Sequence, residues 1–310
     1  MSKTAFQFPG QGSQFPGMGK TLADAYPAAR LTFEEADQVL GFSLSGLCWD
    51  GPESELKMTE NTQPALLTVA IAAFRALASE GIRADYVAGH SLGEYAALVA
   101  AGALEFGDAL QLVRKRGRYM QDAVPAGVGA MAALLKLPEG KLDGILKQAA
   151  GGEVVAAANF NSPDQVVIAG HAAAVARAME LAKAEGAKRA IALTVSAPFH
   201  CPLMQPAQDR MAEELAAVPI SNLAIPLVNN WQAREITSAE EAREGLIQQI
   251  PNPVRWTESI HRLAALGVTR FIEVGPGAVL TGLLRNIDST LTGMKFGEAA
   301  DFEKVSALVP

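Results

Sequence analysis

Tyr86-Val87-Ala88-Gly89-His90-Ser91-Leu92-Gly93-Glu94-Tyr95 decides the fold class. Residues 86–88 are an apolar run of strand length. Residues 94–101 are apolar on most sides and read as a buried helix. A strand, a sharp Gly-flanked turn and a buried helix in immediate succession are an α/β signature. The turn also matches G-x-S-x-G, the elbow that presents a serine at the end of a strand. Its glycines permit a strained backbone and leave room for neighbouring segments. The first amides of the following helix point toward the reacting centre, where they can stabilise an oxyanion. At a glycine usage of about 7%, the bare pattern arises by chance roughly 0.1 times in a chain of this length. An ordinary Gly-Ser turn therefore competes with a nucleophile until the strand before and the helix after are counted.

Outward from the elbow, residues 4–8 read as a first strand ended by Pro9-Gly10 and followed by the loop Gly10-Gln11-Gly12-Ser13. Helical segments fill the chain to Gly41. Thr62 reads as the cap of a helix with Pro64 in its first turn, running through residues 65–78 and ended by Gly81. The apolar stretch 65–74 stops at Arg75 and is too short to span a bilayer. The middle of the chain reads as strand 128–135, helix 138–149, strands 154–160 and 165–169, helix 172–184 and strand 189–195. Asn161-Ser162-Pro163-Asp164 is the turn between the paired strands. This β-α-β-β-α-β order is the split βαβ, ferredoxin-like pattern. It predicts a small insert domain at residues 127–196 within a discontinuous large domain, 1–126 and 197–310. Helix 203–217, strands 225–228 and 271–274 and helix 279–286 return to that large domain. The tail after Gly293 is weakly patterned and is expected to close over the surface or fray.

Composition narrows the function classes. The 310 residues carry 26 Lys and Arg against 33 Asp and Glu, a net charge of −7. That balance argues against a general nucleic-acid binder. Cys48 and Cys201 alone exclude a disulfide framework or a cysteine-based zinc cluster. The N-terminus lacks the apolar core of a signal peptide. A cytoplasmic protein is expected.

A serine hydroxyl needs a base. There are four histidines. His90 adjoins the serine, so its side chain points away, as a structural or pocket-lining group. His171 opens the second helix of the insert, and His261 lies on a charged helix. His200 stands in Ser196-Ala197-Pro198-Phe199-His200-Cys201-Pro202, an irregular apolar loop next to a domain boundary. Elimination favours His200. The third member stays open: Asp108, Asp122, Asp143, Asp164 and several glutamates intervene, none with an evident strand-end setting. A backbone carbonyl or an amide oxygen is also able to orient an imidazole. Arg116 lies in the basic run Arg114-Lys115-Arg116-Gly117-Arg118, which alone reads as a solvated helix face.

An ordered set of motifs resembles the malonyl-CoA:acyl carrier protein transacylase family. It comprises Phe8-Pro9-Gly10-Gln11-Gly12-Ser13-Gln14, Thr62-Gln63-Pro64-Ala65-Leu66, Gly89 to Tyr95, Arg116-Gly117, Asn159-Phe160-Asn161-Ser162-Pro163, Ala197-Pro198-Phe199-His200, Asn252-Pro253-Val254 and Glu273-Val274-Gly275-Pro276-Gly277. The resemblance covers nearly the whole chain. It implies an α/β-hydrolase-like large domain with a parallel sheet, a ferredoxin-like insert and ping-pong acyl transfer. It makes Ser91 the acylated nucleophile and His200 its base and acid. The Gln11 and Leu92 backbone amides become the oxyanion hole, and the Gln249 backbone carbonyl orients the histidine. Arg116 becomes the group that takes the malonyl carboxylate, and Phe199 contributes bulk against an α-methyl substituent. Malonyl-CoA, CoA and acyl carrier protein are the implied partners. No metal or cofactor, no nucleic acid and no membrane is expected, and a monomer is expected. With an acidic carrier protein, docking needs a local basic patch. Lys188 and Arg189 are candidates, as are Arg114, Lys115 and Arg118. A serine hydrolase, a non-catalytic carrier-binding subunit and a polyketide acyltransferase are the rival readings.

Overall fold

A computed structural model describes residues 2–195 and 197–308. The expected domain limits at residues 1, 196 and 310 lie outside the described residues. Ten strands occur among them: β1 Lys3–Phe8, β2 Tyr86–Gly89, β3 Gly129–Leu135, β4 Val155–Ser162, β5 Gln165–His171, β6 Arg189–Ala192, β7 Leu227–Val228, β8 Glu235–Ile236, β9 Val268–Val274 and β10 Thr292–Phe296. Six of them make one sheet in the order β10-β9-β1-β2-β7-β8, and four make a second in the order β4-β5-β3-β6. The first sheet is parallel except for β8. The second is antiparallel, and the elements from β3 to β6 run β-α-β-β-α-β.

Burial explains the parallel sheet. β1 is buried from Thr4 to Phe8 and β2 along its whole length, and both faces are covered, as parallel sheets require. One face meets a large core that includes Phe6, Phe8 and the helix Thr59–Ser79. The other meets Trp256, Ile260, Leu280 and Leu284 from two later helices. β1 and β2 pair with Phe8 opposite Gly89, so the chain leaves both strands at the same edge. The Gln11 loop and the Ser91 elbow therefore emerge side by side at the carboxyl end of the sheet. Ligands of open α/β sheets bind at that edge.

The four-stranded sheet is tied to the edge from the other side. The Val254 N–H donates to the Ala158 carbonyl at 2.9 Å, and the Phe160 N–H returns to the Val254 carbonyl at 2.9 Å. The Thr257 hydroxyl donates to the Phe160 carbonyl at 3.0 Å. β4 thereby carries Asn159 and Asn161 toward the elbow.

Several boundaries differ from the sequence reading. The helix expected from Thr62 begins at Thr59 and holds Pro64 inside it. Thr62 does not cap its own helix; its hydroxyl donates back to the Leu56 and Met58 carbonyls, joining the helix to the turn before it. The helix is 21 residues long, so length and composition alone would let it cross a membrane, but 78% of its most apolar window is buried inside the protein. Its apolarity is spent on the helices Pro27–Leu40 and Phe106–Asp122. Residues 294–308 of the tail do not fray. Thr292–Phe296 forms an edge strand parallel to β9, and Phe296 is fully buried against Tyr26 and Phe302. A half-exposed edge strand has little alternation to read; its order comes from the neighbour it pairs with.

Candidate active site

The elbow places Ser91 where a nucleophile needs to be. Ser91 has φ 52°, in the left-handed region that side chains rarely adopt. Its flanking glycines are sterically required. A Cβ on Gly89 would lie 2.0 Å from the Gly93 carbonyl carbon, and a Cβ on Gly93 would lie 2.1 Å from the Phe8 carbonyl oxygen. The G-x-S-x-G spacing is thus the spacing at which two strands and a helix meet.

His200 also has positive φ, 57°, in the loop after β6. Its Nε2 is 2.7 Å from Ser91 Oγ. Its Nδ1 donates to the Gln249 backbone carbonyl at 2.7 Å, which fixes the tautomer and leaves the Nε2 lone pair for the serine proton. Burial, and then the positive charge of Arg116, push the His200 pKa down to about 3. The imidazole is neutral at pH 7, as a base must be. None of Asp108, Asp122, Asp143 and Asp164 bonds to it; Asp122 pairs with Arg210 and Asp164 with Lys136.

Arg116 does not lie on a solvated face. It is 1% exposed. Nη1 donates to Gln63 Oε1 at 2.9 Å, and Nη2 donates to Gln249 Oε1 at 2.8 Å and to Ser91 Oγ at 3.1 Å. Nε has no partner among the described residues. Burial lowers its pKa. Among the described residues no carboxylate bonds to this guanidinium. A buried cation with neutral acceptors and Nη2 at the serine hydroxyl suits a carboxylate beside the serine. The other members of the basic run do reach the surface or its margin. Lys115 pairs with Glu214, Arg118 pairs with Glu60, and Arg114 stacks on Phe42.

These groups open into a cleft of about 660 Å³ between the edge of the parallel sheet and the four-stranded sheet. Gln11 and Phe199 line it, and Phe199 is 8% exposed. Leu92 is buried at the first turn of the helix after the elbow. No described group accepts a hydrogen bond from the Gln11 or Leu92 backbone N–H. The Ser91 N–H, by contrast, is taken by Asn230 Oδ1 at 2.7 Å. His90 reaches away from Ser91, with Nε2 2.8 Å from Asn161 Oδ1 on β4, and its ring packs on Trp256.

Sequence reasoning missed Gln63, Asn161 and Asn230. Gln63 and Asn161 stood inside quoted motifs without an assigned task. Asn230 had a readable signal: Asn229-Asn230 follows directly on an apolar strand, where the carboxyl edge of a parallel sheet turns polar.

Comparison with known proteins agrees with this geometry. A family profile described as acyl transferase domain matches residues 5–305. The malonyl CoA-acyl carrier protein transacylase of Escherichia coli (strain K12) is 49% identical over 299 residues, covering 96% of this chain and 97% of the relative. A crystal structure of an acyl carrier protein S-malonyltransferase from Vibrio cholerae superimposes with a TM-score of 0.96 at 47% identity, covering 98% of this chain and 100% of that one. A malonyl-transacylase solved in complex with a type II PKS acyl-carrier protein gives a TM-score of 0.96 at 46% identity, covering 98% of each chain. A Gly-flanked serine on a strand-to-helix turn, a neutral histidine on its hydroxyl and near-complete coverage of these relatives lead to one assignment: the chain is an acyltransferase and belongs to the malonyl CoA-acyl carrier protein transacylase family.

Proposed function

We propose that this chain moves a malonyl group from malonyl-CoA to the phosphopantetheine thiol of an acyl carrier protein, through a malonyl-Ser91 ester, and so supplies fatty-acid elongation. One observation carries the choice of acyl group: the buried Arg116 guanidinium stands 3.1 Å from the Ser91 hydroxyl oxygen and is held there by the neutral side-chain oxygens of Gln63 and Gln249. Malonyl brings a carboxylate to that position; acetyl does not.

The steps follow from the geometry. His200 Nε2 takes the Ser91 proton as Oγ bonds to the thioester carbonyl carbon. The Gln11 and Leu92 amides receive the oxyanion, because the Ser91 amide is already occupied by Asn230. The C–S bond breaks, and the imidazolium returns its proton to the departing CoA thiolate. The carrier thiol then gives its proton to His200, its sulfur bonds to the malonyl carbon, and the C–O bond breaks as Ser91 regains the proton. No metal or organic cofactor enters these steps. Phe199 beside His200 adds bulk where an α-methyl group would lie, a discrimination of about 1–3 kcal/mol.

The same reading divides the chain into an α/β-hydrolase-like large domain, 1–126 and 197–310, and a ferredoxin-like insert, 127–196. The insert narrows the cleft against water that would hydrolyse the ester. Lys188 and Arg189 are exposed at its edge and make no ion pair among the described residues, which favours them for an acidic carrier over Lys115 and Arg118. A cytoplasmic monomer completes the proposal.

Malonyl-CoA labelled in the malonyl group tests it. Label is expected on Ser91 first and on the carrier protein after it is added. Free malonate without a malonylated carrier would instead mark a hydrolase. The pH dependence is a second expected result. A lowered histidine pKa keeps the base neutral below 6.5, so kcat/KM for acylation should stay level from pH 8 to pH 5 and fall only toward the His200 value of about 3. A midpoint near the ordinary imidazole value of about 6.5 would mean that His200 is not held neutral by its surroundings.

A further inference from the structure

Glu94 belongs to the elbow sequence, yet it takes no part in the proton transfers. It is fully buried in the first turn of the helix Gly93–Ala100. Its Oε2 accepts from the Asn230 backbone N–H at 3.0 Å and from Gln249 Nε2 at 3.2 Å. Each partner governs a different part of the site. The Asn230 side chain takes the Ser91 N–H at 2.7 Å and donates to the Gly89 carbonyl at 2.5 Å, clasping both sides of the strained turn. Gln249 takes Arg116 Nη2 on Oε1 at 2.8 Å and His200 Nδ1 on its backbone carbonyl at 2.7 Å.

A carboxamide donates at one end and accepts at the other. If the Gln249 side chain turned over, its NH₂ would face the Arg116 guanidinium, which also only donates. Two acceptors on the NH₂ side remove that alternative: Glu94 Oε2 at 3.2 Å, the nearer, and the Ser91 carbonyl at 3.4 Å. Glu94 Oε1 has no hydrogen-bond partner among the described residues. Burial pushes the Glu94 pKa up to about 8, so a proton is often present at neutral pH. It sits on the unpartnered Oε1, and Oε2 remains an acceptor in both forms.

We infer that Glu94 is a positioning residue for carboxylate selectivity: its Oε2 sets the sense of the Gln249 carboxamide, and through it the direction of the Arg116 fork, while holding Asn230 against the nucleophile turn. This inference rests on the malonyl reading above.

The readout is the ratio of malonyl to acetyl acylation rates, measured beside a thermal melt for each variant. Glu94→Gln offers a carbonyl oxygen at the Oε2 position and an amide at the unpartnered one. It should stay within about threefold of the parent ratio. Glu94→Leu has similar bulk and no acceptor, and its ratio should fall about tenfold or more. Gln249→Met keeps the backbone carbonyl for His200 and removes the carboxamide, so it should show the same fall. Combining it with Glu94→Leu should lower the ratio no further. A role in stability alone would lower the melting temperature and slow both acyl groups equally. An unchanged ratio in folded Glu94→Leu overturns the inference. If that variant does not fold, a collapsed ratio in Glu94→Gln or a preserved one in Gln249→Met overturns it. A parent protein that takes no malonyl group would overturn the functional reading itself, whereas an active parent with indifferent variants overturns only the role of Glu94.

Discussion

Ser91→Ala protein mixed with labelled malonyl-CoA is expected to retain no covalent label, and His200→Ala to acquire its label about a thousandfold more slowly than the parent. The two effects have different origins. In the proposed cycle Ser91 Oγ is the atom that forms the ester, so its removal leaves no route to a stable intermediate. Cys201 does not substitute for it. That thiol is buried, its Sγ lies 3.1 Å from the Pro198 carbonyl, and burial pushes its pKa up to about 11, so the nucleophilic thiolate is scarce at pH 7. His200→Ala keeps the hydroxyl, the amides and the Arg116 contact, and loses only the acceptor 2.7 Å from Oγ. Residual acylation is therefore expected from binding and oxyanion stabilisation alone. Rapid quenching followed by peptide mapping checks both. Label on Ser91→Ala protein at any residue of the cleft would remove Ser91 as the nucleophile. A parent-like rate in His200→Ala would mean that another group takes the proton.

The elbow was legible because several rules agree at one place. A parallel strand, two glycines with no room for a Cβ and an apolar helix leave few other foldings for residues 86–101. His200 was reachable by elimination among four histidines. Its carbonyl partner comes only from the family resemblance, because a backbone carbonyl leaves no mark of its own in the sequence: Gln249 meets His200 through an atom that every residue has. Its side chain does the specific work, accepting from Arg116 and donating to Glu94. Arg116 was misleading in the residues alone, since the charges around it are exposed and the helical run looks uniform. The helix buries that one position against Gln63 and Tyr95. Edge strand β10 and the early start of the helix at Thr59 were illegible for a related reason: both depend on contacts with distant segments. Local propensity indicates where an element can form, and such contacts decide where it ends.

The second large effect concerns choice of substrate. Arg116→Ala should lower malonyl acylation about a hundredfold or more and leave acetyl acylation far less affected, so that the malonyl preference collapses. A carboxylate held by a buried guanidinium forms charge-assisted hydrogen bonds, and losing one partner of such a pair costs about 2–5 kcal/mol. Absolute rates alone would not isolate this term. Arg116 also donates to Ser91, Gln63 and Gln249, so its removal leaves three acceptors without that donor and slows every acyl group to some degree. The ratio cancels that shared loss. Arg116→Lys refines the test: an ammonium keeps the charge but cannot hold a carboxylate and the Gln63 and Gln249 oxygens in one planar fork. It should recover part of the malonyl rate and less of the preference. Competition between malonyl-, methylmalonyl- and acetyl-CoA for the labelled enzyme measures all three ratios in one mixture. Equal losses for malonyl and acetyl in Arg116→Ala would show that the guanidinium serves the nucleophile and not the substrate carboxylate. Selective loss of malonyl would place the carboxylate on the arginine and explain why a protein tolerates a buried cation beside Ser91.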